Sequence, residues 1–338
     1  MKKIKNQCLI GLIILIGVSV IDCDNGNTPL HIHTYSTTWT SNAALHWKEC
    51  TGAGCDAKTG TANHAPVNGV CTTCGYDNTP VNMEMVTIPA GTFTKGTVSG
   101  GYDDERPVRQ VTLSAFKMGK YEVTQEQYQE VMGINPSYFY SNPAAGEVQR
   151  KRPVEYVTWF DAIEFCNKLS TKEGLTPVYT ITGRTPATGY PITSATVTTN
   201  WSNNGYRLPT EAQWECACRA GSTTDWYFGN TVAELINYAW YNVNANSMTH
   251  QVGKKTANAW GLYDMHGNVW EWCWDWYGSS YYGESGNTNN PMGPSSGTYR
   301  VDRGGGWVAS AEGTRSAYRG YGTPGDGFNL IGFRVVRP

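Results

Sequence analysis

Residues 205–215 read Gly205-Tyr206-Arg207-Leu208-Pro209-Thr210-Glu211-Ala212-Gln213-Trp214-Glu215, and residues 268–277 read Asn268-Val269-Trp270-Glu271-Trp272-Cys273-Trp274-Asp275-Trp276-Tyr277. In the first stretch Thr210 and Gln213 stand at capping-box spacing, which predicts a helix from Thr210 that Gly221 closes. In the second, Trp270, Trp272, Trp274 and Trp276 alternate with Glu271, Cys273 and Asp275. Period two predicts a strand, and four indoles on one side predict that this side faces the core.

Reading outward, Thr124 is expected to cap a helix to about Met132, with Gly133 as its stop. Thr158 is expected to cap another that places Ala162, Ile163, Cys166 and Leu169 on one face and ends at Gly174. Val86 to Phe93, turning at Pro89-Ala90-Gly91, reads as a strand and hairpin. Val111-Thr112-Leu113 reads as a short strand, and the Thr-rich stretch Val178 to Trp201 as a hairpin insertion. Loops around Arg303-Gly304-Gly305-Gly306-Trp307 lead to a last strand, Gly332 to Val336. Together these predict an α+β domain with short antiparallel strands, about three helices and much irregular loop.

Composition agrees. Glycine accounts for 38 of 338 residues, aromatics for 12% and charged residues for only 16%, against about 25% charged in an average chain. A helical bundle or a disordered polyelectrolyte would need more Glu, Lys and Ala. The formal charge is −2, and no long run of Lys or Arg occurs. Binding of nucleic acid through phosphate neutralisation is therefore not expected.

The N-terminal 80 residues differ in kind. Lys2, Lys3 and Lys5 precede an apolar run, Leu9 to Ile21, that is 13 residues long. A bilayer span needs about 20, whereas a signal-peptide core of this length is ordinary. Residues 1–22 are thus expected to be a signal peptide. Cys23 follows at once and looks like a bacterial lipoprotein acceptor, although Asp22 departs from the usual small residue before it. The other reading is secretion with an unmodified Cys23. Two or more acyl chains would anchor the protein stably, to the outer membrane or cell surface. Residues 23–80 hold Cys50, Cys55, Cys71 and Cys74 at C-x4-C-x15-C-x2-C spacing. That pattern suits a small zinc ribbon, or two disulfides in an exported spacer module.

From residue 81 to 338 the motifs resemble those of the formylglycine-generating enzymes, the sulfatase-modifying factors. The resemblance rests on residues 205–215, on Gly261-Leu262-Tyr263-Asp264-Met265-His266-Gly267-Asn268-Val269-Trp270-Glu271-Trp272, on Arg303-Gly304-Gly305 and on Gly332-Phe333-Arg334. Met85 to Gly96 and Tyr121-Glu122-Val123-Thr124 agree in order and spacing. It implies a C-type-lectin-like fold but does not carry the activity, because function lives in the site. Members that oxidise a substrate cysteine use two thiols after the C-terminal Gly-Gly, which bind copper(I) through soft ligands. This chain has no cysteine after Cys273, and Ala309 stands nearest the first such thiol, so copper is not expected. Cys166 and Cys218 resemble family disulfide cysteines, yet their expected partners near Ser316 and Val335 are missing. These two, with Cys216 and Cys273, read as buried free thiols; a Cys216/Cys218 redox pair is the outside alternative. Iron-dependent relatives need a histidine cluster, and this domain offers only His250 and His266. The family's calcium position falls on Asp264, Gly267, Val269 and Glu271, where carboxylates and carbonyls suit a hard cation. The other reading is that Glu271 caps loop amides or pairs with an arginine.

The segment from Gly306 to Asn329 also holds Val308, Ala309, Ser310, Gly313, Tyr318, Gly320, Tyr321, Gly322, Asp326 and Phe328, which follow no evident packing rule. Small residues with Tyr, Phe and Asp are the composition of a paratope. The arrangement resembles the variable region of retroelement-diversified lipoproteins of the treponemal type, which share this fold. Adenine mutagenesis of asparagine codons cannot yield Lys, Glu, Gln, Met or Trp, and none of the ten positions carries one. The expectation is a surface-anchored binder of a protein or glycan ligand. The alternatives are an enzyme of the family using an unrecognised site, and a structural partner in a surface assembly.

Overall fold

The computed structural model describes residues 81–338 apart from 285–287, and of the segment before them only the backbone of five short strands. Tertiary contacts divide the chain into two units, Met1–Pro80 and Val81–Pro338. In the first, β1 (Thr40–Ser41), β2 (Leu45–Glu49) and β3 (Lys58–Asn63) form an antiparallel sheet in that order, and β4 (Pro66–Val67) pairs with β5 (Val70–Cys71). Cys23, Cys50, Cys55 and Cys74 lie outside the described residues, as does the side chain of Cys71.

The second unit contains α1 (Gln125–Met132), α2 (Trp159–Lys172) and α3 (Glu211–Arg219). Each starts where its capping box predicts. The hydroxyls of Thr124, Thr158 and Thr210 accept the amide three residues on, while Gln127, Asp161 and Gln213 accept from the cap amide. Gly133 leaves α1 at φ 80°. Ala220 ends α3 in the left-handed region at φ 46°, just before Gly221.

The strands β6 (Met85–Ile88), β7 (Gly91–Lys95), β8 (Arg109–Leu113) and β9 (Phe116–Gly119) correct the expected opening hairpin. β6 pairs with β9 and β7 with β8, so Pro89-Ala90 carries the chain between sheets. The proline explains this, because two-residue hairpin loops need a positive φ that its ring forbids. The expected insertion does form a hairpin, β10 (Tyr179–Thr185) with β11 (Ser194–Thr199).

The central sheet runs β14 (Gly320–Gly322), β13 (Arg300–Arg303), β12 (Trp270–Trp276), β15 (Ile331–Gly332). The last pair is parallel. The expected closing strand is in fact two. β15 joins this sheet, and β16 (Val336–Arg337) crosses to pair with β9, with Phe333 and Arg334 fully buried between them.

The expected facing of β12 also needs correction. Among its tryptophans only Trp272 is fully buried, whereas Glu271, Cys273 and Asp275 are all buried on the opposite face. That face is bonded rather than wetted, although Asp275 Oδ1 is buried without a partner. Glu271 takes Arg334, and Asp275 accepts the Glu211 amide at the start of α3 at 2.7 Å. On the other face Arg300 lies 3.8 Å from the Trp159 ring centroid and 3.5 Å from that of Trp276.

One core cluster gathers α1, α2 and the Trp272 side of the sheet, with Tyr128 stacked on Phe165 at 5.5 Å. A second surrounds α3, with Trp214, Leu262, Met265 and Cys273.

Candidate ligand-binding surface

The C-terminal segment is held by buried arginines. Arg303 donates to Glu211 at 3.0 Å and to Glu215 at 2.7 Å. Arg319 donates twice to Glu211, at 2.6 and 3.0 Å, and Lys95 adds a bond at 3.2 Å. Arg315 forks onto Glu105, and Arg334 onto Glu271. Burial alone would raise the Glu211 carboxyl, but Arg319, Lys95 and Arg303 together hold it well below the usual range. These acids come from α3, from β12 and from the turn at residue 105. The loops between 303 and 334 are therefore pinned to the core from beneath.

What they present outward divides the ten predicted positions. Val308, Tyr321 and Phe328 are 43%, 52% and 50% exposed. Ser310 and Asp326 are exposed too, and Ala309 is half-buried with its carbonyl accepting Asn242 N at 3.1 Å. Tyr321 stacks on Tyr277 at 4.2 Å and lies 5.2 Å from Tyr299. Gly313 is buried, yet a Cβ there would meet Ala309 Cβ at 3.5 Å and Ser310 Oγ at 4.0 Å, both ordinary contacts. Tyr318 is half-buried, edge-on to Tyr102 at 5.5 Å and 5.7 Å from Trp270.

Gly320 and Gly322 correct the expectation that all ten lack a packing role. A Cβ on Gly320 would overlap Asp302 Oδ1 and lie 2.9 Å from Trp270, and one on Gly322 would lie 2.8 Å from Trp272. These glycines let the edge strand lie flat on the tryptophan face.

The thiols are placed as inert groups. Cys166, Cys216, Cys218 and Cys273 are all free and buried. Burial pushes Cys216 and Cys218 up to about 12 and raises Cys166 and Cys273 further, leaving no thiolate near neutral pH. Cys218 Sγ lies 3.6 Å from Ser316 Oγ, the place where the family resemblance puts a partner thiol. Burial likewise lowers His266 to about 3, and its Nε2 accepts the Tyr227 amide. His250 is bonded to Glu147 and to the Ala245 carbonyl, both at 2.9 Å.

Of the calcium candidates, Glu271 has both oxygens on Arg334 at 2.6 Å, with Trp214 Nε1 adding a bond at 2.8 Å. Gly267 abuts the Trp240 carbonyl, and Val269 N donates to Glu122 at 3.2 Å. Asp264 Oδ2 accepts Gly253 N at 2.7 Å, while its buried Oδ1 has no partner. Burial first, then the like charges of Asp264 and Glu271, push Glu122 well up, and burial raises Asp264 to about 6. Three carboxylates thus share one guanidinium, and among the described residues no three His, Cys, Asp or Glu side chains are grouped so as to hold a metal ion.

Short strands around a buried arginine frame define a formylglycine-generating-enzyme-like domain that carries an exposed C-terminal surface. The Sulfatase-modifying factor enzyme 1-like domain profile matches residues 71–338, and the chain belongs to that family. It is 43% identical to the solved structure of Treponema denticola variable protein 1, at a TM-score of 0.70, covering 75% of this chain and 95% of that one. It is 39% identical to the chaperone protein LppX of Paenibacillus barcinonensis over 79% of this chain and 93% of the relative. It is 31% identical to the mouse formylglycine-generating enzyme over 75% and 74% of the two chains.

Proposed function

We propose that this protein is an exported, lipid-anchored receptor that displays a non-catalytic binding surface and holds it on a rigid family scaffold. One observation carries the reading: Val308, Ser310, Tyr321, Asp326 and Phe328 are all exposed, while the arginines interleaved with them are buried in ion pairs. A loop with that division can change its outward residues without losing its anchor. Rigid aromatics would supply contact area, and Ser and Asp would supply adaptable hydrogen bonds to a protein or glycan ligand. The likeness to a variable protein supports diversification of these positions, and the Cys23 junction supports acylation. A structural calcium at Asp264 belongs to the same reading.

The test is to replace Val308, Ser310, Tyr321, Asp326 and Phe328 together by alanine in the purified protein. The melting temperature should fall by less than about 5 °C, as for surface changes, and a ligand selected on the wild type should bind at least roughly tenfold more weakly. Unfolding of the variant would contradict a display surface. Labelled palmitate should enter the wild type and not Cys23→Ala.

A further inference from the structure

On the tryptophan face of the central sheet, Trp272, Asp302 and Gly320 are directly opposite one another across β12, β13 and β14. Asp302 is 7% exposed, and no donor among the described residues reaches its carboxylate. Nearby guanidinium groups are engaged elsewhere: Arg315 with Glu105, Arg319 with Glu211, and Arg303, on the opposite face, with Glu211 and Glu215. Arg300, on the same face as Asp302, donates to the Trp274 carbonyl and lies over Trp159 and Trp276. The carboxylate lies against the bare Cα of Gly320, with Trp270 on the same glycine and Tyr318 5.7 Å from Trp270. Asp104 lies close by, bonded at 2.9 Å to the Tyr277 hydroxyl. Burying an unmatched carboxylate is costly, and burial pushes this one up to about 8 despite the pull of Arg303. A fold that needed only packing would have placed an apolar residue here.

We propose that Asp302 is the charge-recognition residue of the displayed surface, receiving a lysine ammonium or arginine guanidinium of a protein ligand beside the half-buried rings of Trp270 and Tyr318. The Asp302 carboxyl gives up its proton to solvent as the cation binds; the cation then supplies counter-charge and donors, and the rings supply cation–π contact. The site rests on the display reading above and names its ligand class. Asp302 lies on β13, Trp270 on β12 and Gly320 must stay bare, so the site needs only Tyr318 from the outward set. Cation capture would therefore be common to variants that differ at Tyr321 or Phe328.

The probes are n-butylammonium and n-butylguanidinium, with n-pentanol as the neutral control, added to the full-length protein carrying 5-fluorotryptophan. The Trp270 fluorine signal is assigned with Trp270→Phe. Both cations should shift it saturably, and Asp302→Asn should weaken them about tenfold or more with its melting temperature undiminished. An equal response to n-pentanol, or undiminished cation binding in Asp302→Asn, would overturn the site. Oxidation of a cysteine peptide would instead overturn the display reading, and that assay is independent of this one.

Discussion

Arg315 grips Glu105 through two bonds at 2.7 Å, joining residues 210 positions apart where both are buried. It ties the loop that carries Val308 and Ser310 to the turn after β7. Removing one partner strands the other charge, so Arg315→Ala should cost about 3–5 kcal/mol. Tyr321→Ala, whose ring rests on Tyr277 but is half exposed, should cost less than about 1.5 kcal/mol. Urea unfolding of the two variants checks the contrast.

The glycines of the segment should divide the same way. Gly313→Ala should fold normally, because its new Cβ meets Ala309 and Ser310 at ordinary distances. Gly320→Ala and Gly322→Ala must push aside Asp302 or the tryptophans, at about 1–3 kcal/mol each. Sequencing the gene from many isolates should accordingly find variation at 308, 310, 321, 326 and 328, with glycine kept at 320 and 322.

Asp302 should leave a signature in the pH dependence of stability. Its folded value of about 8 lies above the ordinary 3.8. The folded state therefore holds the proton more tightly, and stability falls as pH rises between those values. Asp302→Asn lacks this loss. Its advantage over wild type should be near zero at pH 4 and reach on the order of 2–5 kcal/mol by pH 8.5. Denaturant midpoints at the two pH values measure it.

Calcium should raise the melting temperature at pH 7.5 and do so far less at pH 5. Asp264, raised to about 6, must lose its proton to bind a hard cation. Asp264→Asn should abolish the response, and Glu271→Gln should destabilise with or without calcium by stranding Arg334.

The helices were legible because their signals are local. Thr124, Thr158 and Thr210 each find their capping partner three residues on, so a short window contains the whole interaction. The facing of β12 was not, because its acidic side is buried only by virtue of Arg334, and Asp275 only by the amide of Glu211. Alternation reveals two faces but not that both are covered. The glycines at 320 and 322 resemble part of a variable set because the residues that exclude a side chain there, Asp302 and Trp270 at 320 and Trp272 at 322, meet them only across strand pairs. Asp302 itself went unnoticed beside the Arg303-Gly304-Gly305 motif. The period-two run Arg300-Val301-Asp302-Arg303 could have shown it sharing a face with Arg300 rather than with Arg303.

A surface without the thiol pair should hold a partner and not oxidise it. This is tested by giving the purified protein copper(I), oxygen and a cysteine-bearing peptide, and following aldehyde formation by mass spectrometry together with bound copper. The account predicts unchanged peptide and no stoichiometric copper. One copper per chain with steady conversion of cysteine to aldehyde would contradict it.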